Sequence, residues 1–255
     1  VVTPSADLDL AVRDIVASAY GHAGQKCSAA SLVIAVGSVA TSRRFLSQLE
    51  DAVRSVVAGP ATSALTQMGP LIEPAQGKLE RALTTLEPGE RWIVEPHRLD
   101  TEGSAWTPAL KAGTRPGSFF HLTECFGPVL SVTSVATLED AIRLQNAVPY
   151  GLTAGIHSLD PVEIAHWLDQ VEAGNLYVNR GITGAIVQRQ PFGGWKRSVV
   201  GPTFKAGGPH YLSALVDWER TEIAAAEPRS PRLRAFLDRA QAPAWVRSAV
   251  AADER

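Results

Sequence analysis

The sequence has few cysteines, little net charge and no long apolar run. Its two cysteines, Cys27 and Cys125, are too few for a disulfide framework, which favours a reducing, cytoplasmic setting. A formal charge of -2 over 255 residues creates no field that would gather nucleic acid or anionic lipid. Apolar runs such as residues 32–36 are far too short to cross a bilayer. We therefore expect no nucleic-acid partner and no membrane segment.

The composition that remains is that of a globular protein. Hydrophobic residues make up 45% and charged residues 20%, and the length suffices for one large domain or two smaller ones. The sequence begins at Val1 rather than at a methionine, and its first residues lack the basic, apolar and small-residue order of a signal peptide. We expect it to be a piece of a longer chain.

Hydrophobic spacing predicts alternating helices and strands. Apolar residues recur at helical spacing over residues 7–20, where Ser5 or Asp7 is expected to cap the helix. A β-branched run over residues 32–36 predicts a buried strand, and Thr41 is expected to cap the next helix. Further strands are predicted over residues 92–94, 128–135, 153–157 and 175–178, and helices over residues 137–145 and 161–171. This alternation predicts an α/β fold with helices on the faces of a sheet.

The last third of the sequence changes in composition. Residues 181–208 are rich in glycine and proline, which favours loops that approach a ligand. Residues 219–255 are rich in charge, alanine and proline, with one predicted helix over residues 231–240. We therefore predict a main domain over residues 1–218 and a partly helical tail over residues 219–255.

Two segments contain residues suited to chemistry, and each also has a structural interpretation. Cys27 follows Lys26, and a neighbouring cation favours the nucleophilic thiolate, yet a lone cysteine is more often a small buried residue. Glu124 precedes a predicted strand, where its carboxylate could bind a pair of sugar hydroxyls and Phe126 could pack on a flat ring. Without further context, an exposed acid and a core aromatic are the more common case.

Two further features are weaker. Backbone N–H groups of residues 183–185 could bind an anion, although a surface turn explains the same composition. The six histidines show no metal-binding spacing, so we predict no metal site. His22, five residues before Cys27, could act as the base of a cysteine hydrolase, but a loop histidine near a cysteine is usually incidental.

The order and spacing of these segments resemble the aldehyde dehydrogenase superfamily. That family has a Gly-Gln-x-Cys segment with the nucleophile, a Glu-x-Phe-Gly-Pro segment at the nicotinamide ribose, and a Pro-Phe-Gly-Gly segment in the substrate tunnel. Here the three segments occupy residues 24–27, 124–128 and 191–194. Residues 174–194 and 205–212 resemble the L-glutamate γ-semialdehyde (1-pyrroline-5-carboxylate) dehydrogenases, including that module of bifunctional proline utilization A.

This resemblance covers about residues 5–218 and implies both a fold and a reaction. The fold would be a catalytic domain with a mostly parallel sheet flanked by helices. The reaction would be oxidation of L-glutamate γ-semialdehyde to L-glutamate with NAD as cofactor. Cys27 would attack the aldehyde carbon to give a thiohemiacetal, and hydride transfer would leave a thioester that water cleaves.

The resemblance also assigns binding roles. The α-carboxylate of the substrate would be held by Ser28, Thr183, Gly184 and Ala185. Such a set is physically reasonable, because a buried carboxylate needs several donors. Phe192 would pack against the aliphatic part of the substrate. Glu124 and Phe126 would position the nicotinamide riboside, and Cys125 would be structural.

The sequence also departs from the family pattern. The family places its cofactor-binding sheet, oxyanion-hole asparagine and deacylating glutamate ahead of the nucleophile, in a part of the fold that would precede Val1. We therefore expect little or no dehydrogenase activity from this chain alone. Residues 195–201 replace a Gly/Ser-rich stretch, so the tunnel should differ in detail. A late strand near residues 215–221 would be the remnant of the oligomerising arm, and its unpaired edge predicts a homo-oligomer.

Two other functions stay open on the sequence. One is a dehydrogenase for a different aldehyde, disfavoured because Ser28 and residues 183–185 suit a substrate with a carboxylate. The other is a non-catalytic scaffold, disfavoured because a relic has no need to retain Cys27, Glu124 and Phe192 together. The resemblance leaves open a proline dehydrogenase module in the parent chain.

Overall fold

The computed structural model describes residues 1–186, 189–201, 205–219 and 226–253. The chain divides into two compact units, Val1–Ala214 and Leu215–Arg255. The division lies close to residue 218, where the change in composition predicts a boundary. Over the described ranges, no helix combines the length and apolar character that a membrane span needs.

A four-stranded sheet forms the centre of the first unit. The strands described in this unit are β1 (Leu32–Val36), β2 (Arg91–Val94), β3 (Ala109–Ala112), β4 (Val129–Val135), β5 (Tyr150–Gly151), β6 (Thr153–Ile156), β7 (Asn175–Val178) and β8 (Trp195–Lys196). The sheet has the order β1-β4-β3-β2, with β4 parallel to β1 and β3, and β2 antiparallel to β3. β6 and β7 pair in parallel, and β5 and β8 pair antiparallel. The expectation of a mostly parallel α/β fold is confirmed.

The first residues of the chain connect the sheet to the β6-β7 pair. Val2 forms parallel bridges with both Ala35 of β1 and His157 at the end of β6. The backbone N–H of Val2 donates to the carbonyl of Ile34 at 2.9 Å, and that of Thr3 donates to the carbonyl of His157 at 3.1 Å. The two sets of strands are therefore held side by side.

The described residues form helices in both units. They are α1 (Leu8–Tyr20), α2 (Arg43–Arg54), α3 (Gly77–Thr84), α4 (Phe119–Leu122), α5 (Leu138–Asn146), α6 (Pro161–Gln170), α7 (Pro231–Arg239) and α8 (Ala244–Asp253). Asp7 caps α1, as its side chain accepts from the next backbone N–H groups. The cap predicted for α2 was wrong: Thr41 ends a 3-10 turn, and the hydroxyl of Ser42 accepts from the N–H of Phe45. The cap therefore lies one residue later than predicted, directly after the 3-10 turn.

Two of the elements that the hydrophobic pattern missed have a physical explanation. β3 is buried but contains Lys111, whose ammonium lies 2.8 Å from the carboxylate of Glu90, with both side chains at most 2% exposed. A charged residue inside a strand conceals the apolar run that would reveal it. α3 follows Gln76, which makes no side-chain cap hydrogen bond, so the usual start signal is missing.

The predicted late strand does not form over the residues described there. Leu215 ends a 3-10 helix that begins at Tyr211, and residues 216–219 adopt no regular structure. Residues 220–221 of that prediction lie outside the described residues.

Candidate active site

Cys27 lies on a turn between α1 and β1. The chain leaves α1 through a 3-10 turn over Gly21–Gly24, in which three consecutive residues from His22 have positive φ angles. A second turn follows, closed by a 3.0 Å hydrogen bond from the N–H of Ala29 to the carbonyl of Lys26. Cys27 is exposed on this turn. Ser28 is only 6% exposed.

A close backbone contact joins this turn to the segment before β4. Gly24 has a φ of 67°, and a Cβ atom there would lie 2.2 Å from the carbonyl oxygen of Gly127. Gln25 strengthens the contact, since its Nε2 donates to the carbonyl of Phe126 at 3.4 Å and its Oε1 accepts from the N–H of Ile72 at 3.0 Å. The motifs around residues 24–27 and 124–128 are therefore brought together by glycine and glutamine.

Residues 124–126, just before β4, alternate between exposed and buried positions. Glu124 is exposed, Cys125 is 7% exposed, and Phe126 is 39% exposed at a positive φ of 61°. Burial raises the pKa of the Cys125 thiol to about 11. Glu124 and Phe126 are thus available to a ligand, whereas Cys125 packs in the hydrophobic core and contributes to the wall of the cavity described next.

One cavity of about 640 Å³ is lined by several of the reactive and charged side chains discussed above. Its wall includes Lys26, Cys27, Glu124, Phe126, Arg180, Ile182 and Arg197. The nucleophile candidate and the carboxylate candidate therefore face one space. Residues predicted to bind substrate do not reach it: although the structure describes them all, Ser28, Thr183, Gly184, Ala185 and Phe192 are not part of this wall.

The predicted carboxylate-binding residues, 183–185, continue directly from that wall. Ile182 lines the cavity, and its backbone N–H donates to the hydroxyl of Ser18 at 3.0 Å. Thr183 is half-buried, whereas Gly184, with a φ of 83°, and Ala185 are exposed. They lie next in sequence to a cavity residue, with their backbone accessible.

Phe192 is half-buried and lies on a two-residue bridge. Its backbone N–H and carbonyl pair with those of Ala206, each at 2.9 Å. The next residue, Gly193, is held by Asn175, whose Nδ2 donates to the Gly193 carbonyl at 2.9 Å and whose Oδ1 accepts from its N–H at 3.3 Å. The Pro-Phe-Gly-Gly segment is thus fixed to the start of β7.

Several residues at the site were not singled out from the sequence. Arg180 and Arg197 line the cavity, and the guanidinium of Arg180 lies 5.2 Å from the centroid of the Tyr177 ring. Arg180 could have been found because it immediately precedes the glycine-rich segment. Nothing in the sequence pointed to Arg197. A second cavity, of about 1210 Å³, lies against Phe126 and Gln25 and includes Lys78.

Metal chemistry has no visible donor set in this part of the molecule. Among the residues that the structure describes, no three His, Cys, Asp or Glu side chains are grouped so as to hold an ion.

Comparison with known proteins places these features in a family. The sequence model of the aldehyde dehydrogenase family matches residues 1–220. The chain is 36% identical over 215 residues to the 1-pyrroline-5-carboxylate dehydrogenase of Geobacillus sp. (strain WCH70), a match that covers 83% of this chain and 41% of that protein. It is 35% identical over 216 residues to 1-pyrroline-5-carboxylate dehydrogenase 2 of Bacillus subtilis. The chain spans about two fifths of the length of these curated relatives.

Solved structures give a consistent result. Proline utilization A from Corynebacterium freiburgense superposes with a TM-score of 0.85 at 55% identity, over 92% of this chain and 24% of that one. The 1-pyrroline-5-carboxylate dehydrogenase from Thermus, solved with bound NAD, superposes with a TM-score of 0.74 at 35% identity, over 83% of this chain and 40% of that one.

Proposed function

The chain belongs to the aldehyde dehydrogenase family, and we propose that it supplies the nucleophile to an NAD-dependent L-glutamate γ-semialdehyde dehydrogenase. The observation that supports this most directly is the shared cavity of Cys27 and Glu124. The relatives named 1-pyrroline-5-carboxylate dehydrogenase support the choice of substrate. The product would be L-glutamate, so the reaction would belong to proline catabolism.

In this proposal Cys27 carries the covalent chemistry. Its thiolate adds to the aldehyde carbon and gives a thiohemiacetal whose oxygen bears the negative charge. Loss of hydride from that carbon leaves a thioester on Cys27, and addition of water releases L-glutamate and restores the thiol. Bound NAD would accept the hydride.

Glu124 and Phe126 fit the nicotinamide end of such a cofactor. Glu124 offers an exposed carboxylate that can accept hydrogen bonds from a ribose diol, and Phe126 offers a partly exposed ring at the same cavity. We propose that these two residues hold the riboside so that its ring faces Cys27.

The substrate carboxylate is assigned to Ser28, Thr183, Gly184 and Ala185. Accessible backbone at residues 184–185, next to the cavity residue Ile182, supports this assignment. Phe192 would contact the aliphatic part of the substrate. Because Phe192 and residues 183–185 are not part of the cavity wall, their assignment requires the bound substrate to extend beyond that wall.

The proposal also covers the longer polypeptide to which this sequence would belong. The match to a quarter of proline utilization A supports a parent chain that also contains a proline dehydrogenase module. We assign residues 1–218 to the catalytic domain and residues 219–255 to a tail. Homo-oligomeric assembly is part of the proposal, but residues 216–219 form no strand that would carry it. The two unpaired cysteines support a cytoplasmic location.

The test is oxidation of L-glutamate γ-semialdehyde with NAD by the native polypeptide that carries this sequence. We expect Cys27→Ala to lower kcat/KM at least about 1000-fold, as removal of a covalent nucleophile does. Cys125→Ala is the matched control and should stay within about threefold. Turnover of propanal equal to that of the semialdehyde, or full activity in Cys27→Ala, would overturn the proposal.

A further inference from the structure

Ser18 contacts two loops of the candidate site at once. It lies in α1, is 2% exposed, and lines the same cavity as Cys27. Its backbone carbonyl accepts from the N–H of Ala30 at 3.0 Å, at the end of the Cys27 turn. Its hydroxyl accepts from the N–H of Ile182 at 3.0 Å, where the glycine-rich loop begins.

This use of a helical serine is unusual. A serine inside a helix commonly bonds to a carbonyl of its own preceding turn, or points to solvent. The hydroxyl of Ser18 instead meets a backbone N–H that is 164 residues away in sequence. Gly181 allows the approach, because a Cβ atom at that position would lie only 3.1 Å from the Ser18 hydroxyl. The backbone of both Gly181 and Ile182 therefore lies close to the Ser18 hydroxyl.

The opposite end of the same loop is also fixed, but by a residue with no link to Cys27. Asn175, 6% exposed, holds Gly193 through both its N–H and its carbonyl. Ile182 and Gly193 are thus each held by a buried polar side chain. Of these two residues, Ser18 is the one that also bonds to the Cys27 turn.

We propose that Ser18 is a positioning residue that sets the separation between Cys27 and the carboxylate-binding backbone of residues 183–185. Through this separation it selects aldehydes whose carboxylate lies at a fixed distance from the reacting carbon. The inference rests on the proposed function to the extent that residues 183–185 bind the carboxylate. Ser18 itself touches neither substrate nor cofactor in this role.

The experiment compares three variants of the full chain by two measurements. Ser18→Ala removes the acceptor, Ser18→Thr retains a hydroxyl, and Ser131→Ala removes another fully buried serine hydroxyl, which bonds to Thr114 instead. The first measurement is hydrogen exchange of the peptide that spans residues 179–186. The second is the concentration of L-glutamate that halves the rate of Cys27 alkylation by iodoacetamide.

Ser18→Ala should speed exchange in that peptide and raise the protecting L-glutamate concentration about fivefold, the equivalent of one hydrogen bond. The alkylation rate without L-glutamate should change less than twofold, because the backbone bond to Ala30 survives. Ser18→Thr should restore protection, and Ser131→Ala should match the wild type in both measurements. General destabilisation would instead affect the Ser131→Ala variant in the same way.

Unchanged exchange and unchanged protection in Ser18→Ala would overturn the inference, as would an equal effect of Ser131→Ala. If L-glutamate fails to protect Cys27 in the wild type, the proposed function fails. Exchange over residues 179–186 then tests only the contact between Ser18 and Ile182: faster exchange in Ser18→Ala upholds this contact, and unchanged exchange overturns it.

Discussion

Two cysteines precede neighbouring parallel strands and line the same cavity, but they differ in exposure. Cys27, before β1, is exposed on a turn at the cavity. Cys125, before β4, is buried, and burial raises its pKa to about 11. The same side chain is therefore accessible for reaction in one place and part of the core in the other.

The backbone explains the difference. The glycine-containing turn over residues 21–24 carries the chain away from the core just before Cys27. Before β4, Glu124 and Phe126 are both exposed, and the residue between them faces inward. A position just before a strand does not by itself make a cysteine accessible for reaction. The direction in which the backbone points the side chain decides its exposure.

Alkylation by iodoacetamide at about pH 7.5 tests this difference between the two cysteines most directly. We expect Cys27 to react at least about a hundredfold faster than Cys125, because Cys125 is buried and a thiol with a pKa near 11 is roughly 0.03% ionised at that pH. Mass spectrometry of the two peptides gives both rates. Reaction at Cys125 should rise with pH up to about 11, and comparable rates near neutrality would contradict the assignment.

The buried ion pair of Lys111 and Glu90 should be more sensitive to substitution than an exposed ion pair. Lys111→Met leaves the buried carboxylate of Glu90 without its cation, and we expect a loss of about 3–5 kcal/mol in the free energy of unfolding. Urea denaturation measures it. Arg44→Met removes the partner of Asp9 in a pair whose side chains are both 64% exposed, and its denaturation midpoint should stay near that of the wild type.

Acid should reveal the same ion pair. Burial alone would raise the pKa of Glu90, but hydrogen bonds from Lys111, Thr114 and the backbone outweigh it and hold that pKa below its ordinary value. A carboxyl whose pKa is lower in the folded state stabilises the fold above its unfolded pKa of roughly 4.3 and loses this contribution as the pH falls through the folded pKa. A wild type whose stability stays flat through this acid range would contradict the pairing.

The contact between the two cysteine-bearing segments can be tested at one atom. Gly24→Ala places a methyl group 2.2 Å from the carbonyl oxygen of Gly127 at a positive φ, and we expect a loss of about 2–3 kcal/mol with a changed rate of Cys27 alkylation. Gly21→Ala is the matched control, because nothing lies within 4 Å of its added Cβ atom and its φ is -54°. Equal stability of the two variants would show that the contact is not needed.

Sequence patterns predicted the elements that follow a single local rule. β1 came directly from a β-branched run, and the cap of α1 is Asp7, one of the two residues that the sequence offered for it. β3 was missed because Lys111 interrupts its apolar pattern, and its partner Glu90 is distant in sequence. A charge that is neutralised only by folding cannot be recognised as buried from its neighbours.

The residues of the site also fall into two groups, those that sequence motifs identified and those that they did not. Motif order identified Cys27, Glu124 and Phe126, which the cavity brings together. No local sequence pattern marks Ser18 or Asn175, because each forms hydrogen bonds with the backbone of another segment of the chain. Their roles depend on distances that only the folded molecule defines.

The smallest expected effect concerns Cys125 itself. If this thiol is only packing, Cys125→Ala removes one buried sulfur and should cost about 1 kcal/mol of unfolding free energy. The alkylation rate of Cys27 should stay within about twofold, since the Gly24–Gly127 contact is made by backbone atoms that the substitution leaves in place. Cys27→Ala is the mirror control: the side chain is exposed, so stability should hold while alkylation at that position disappears. A large fall in Cys27 reactivity in Cys125→Ala would mean that the buried thiol helps to shape the reactive turn, and the two strand entrances would then have to be treated as one unit.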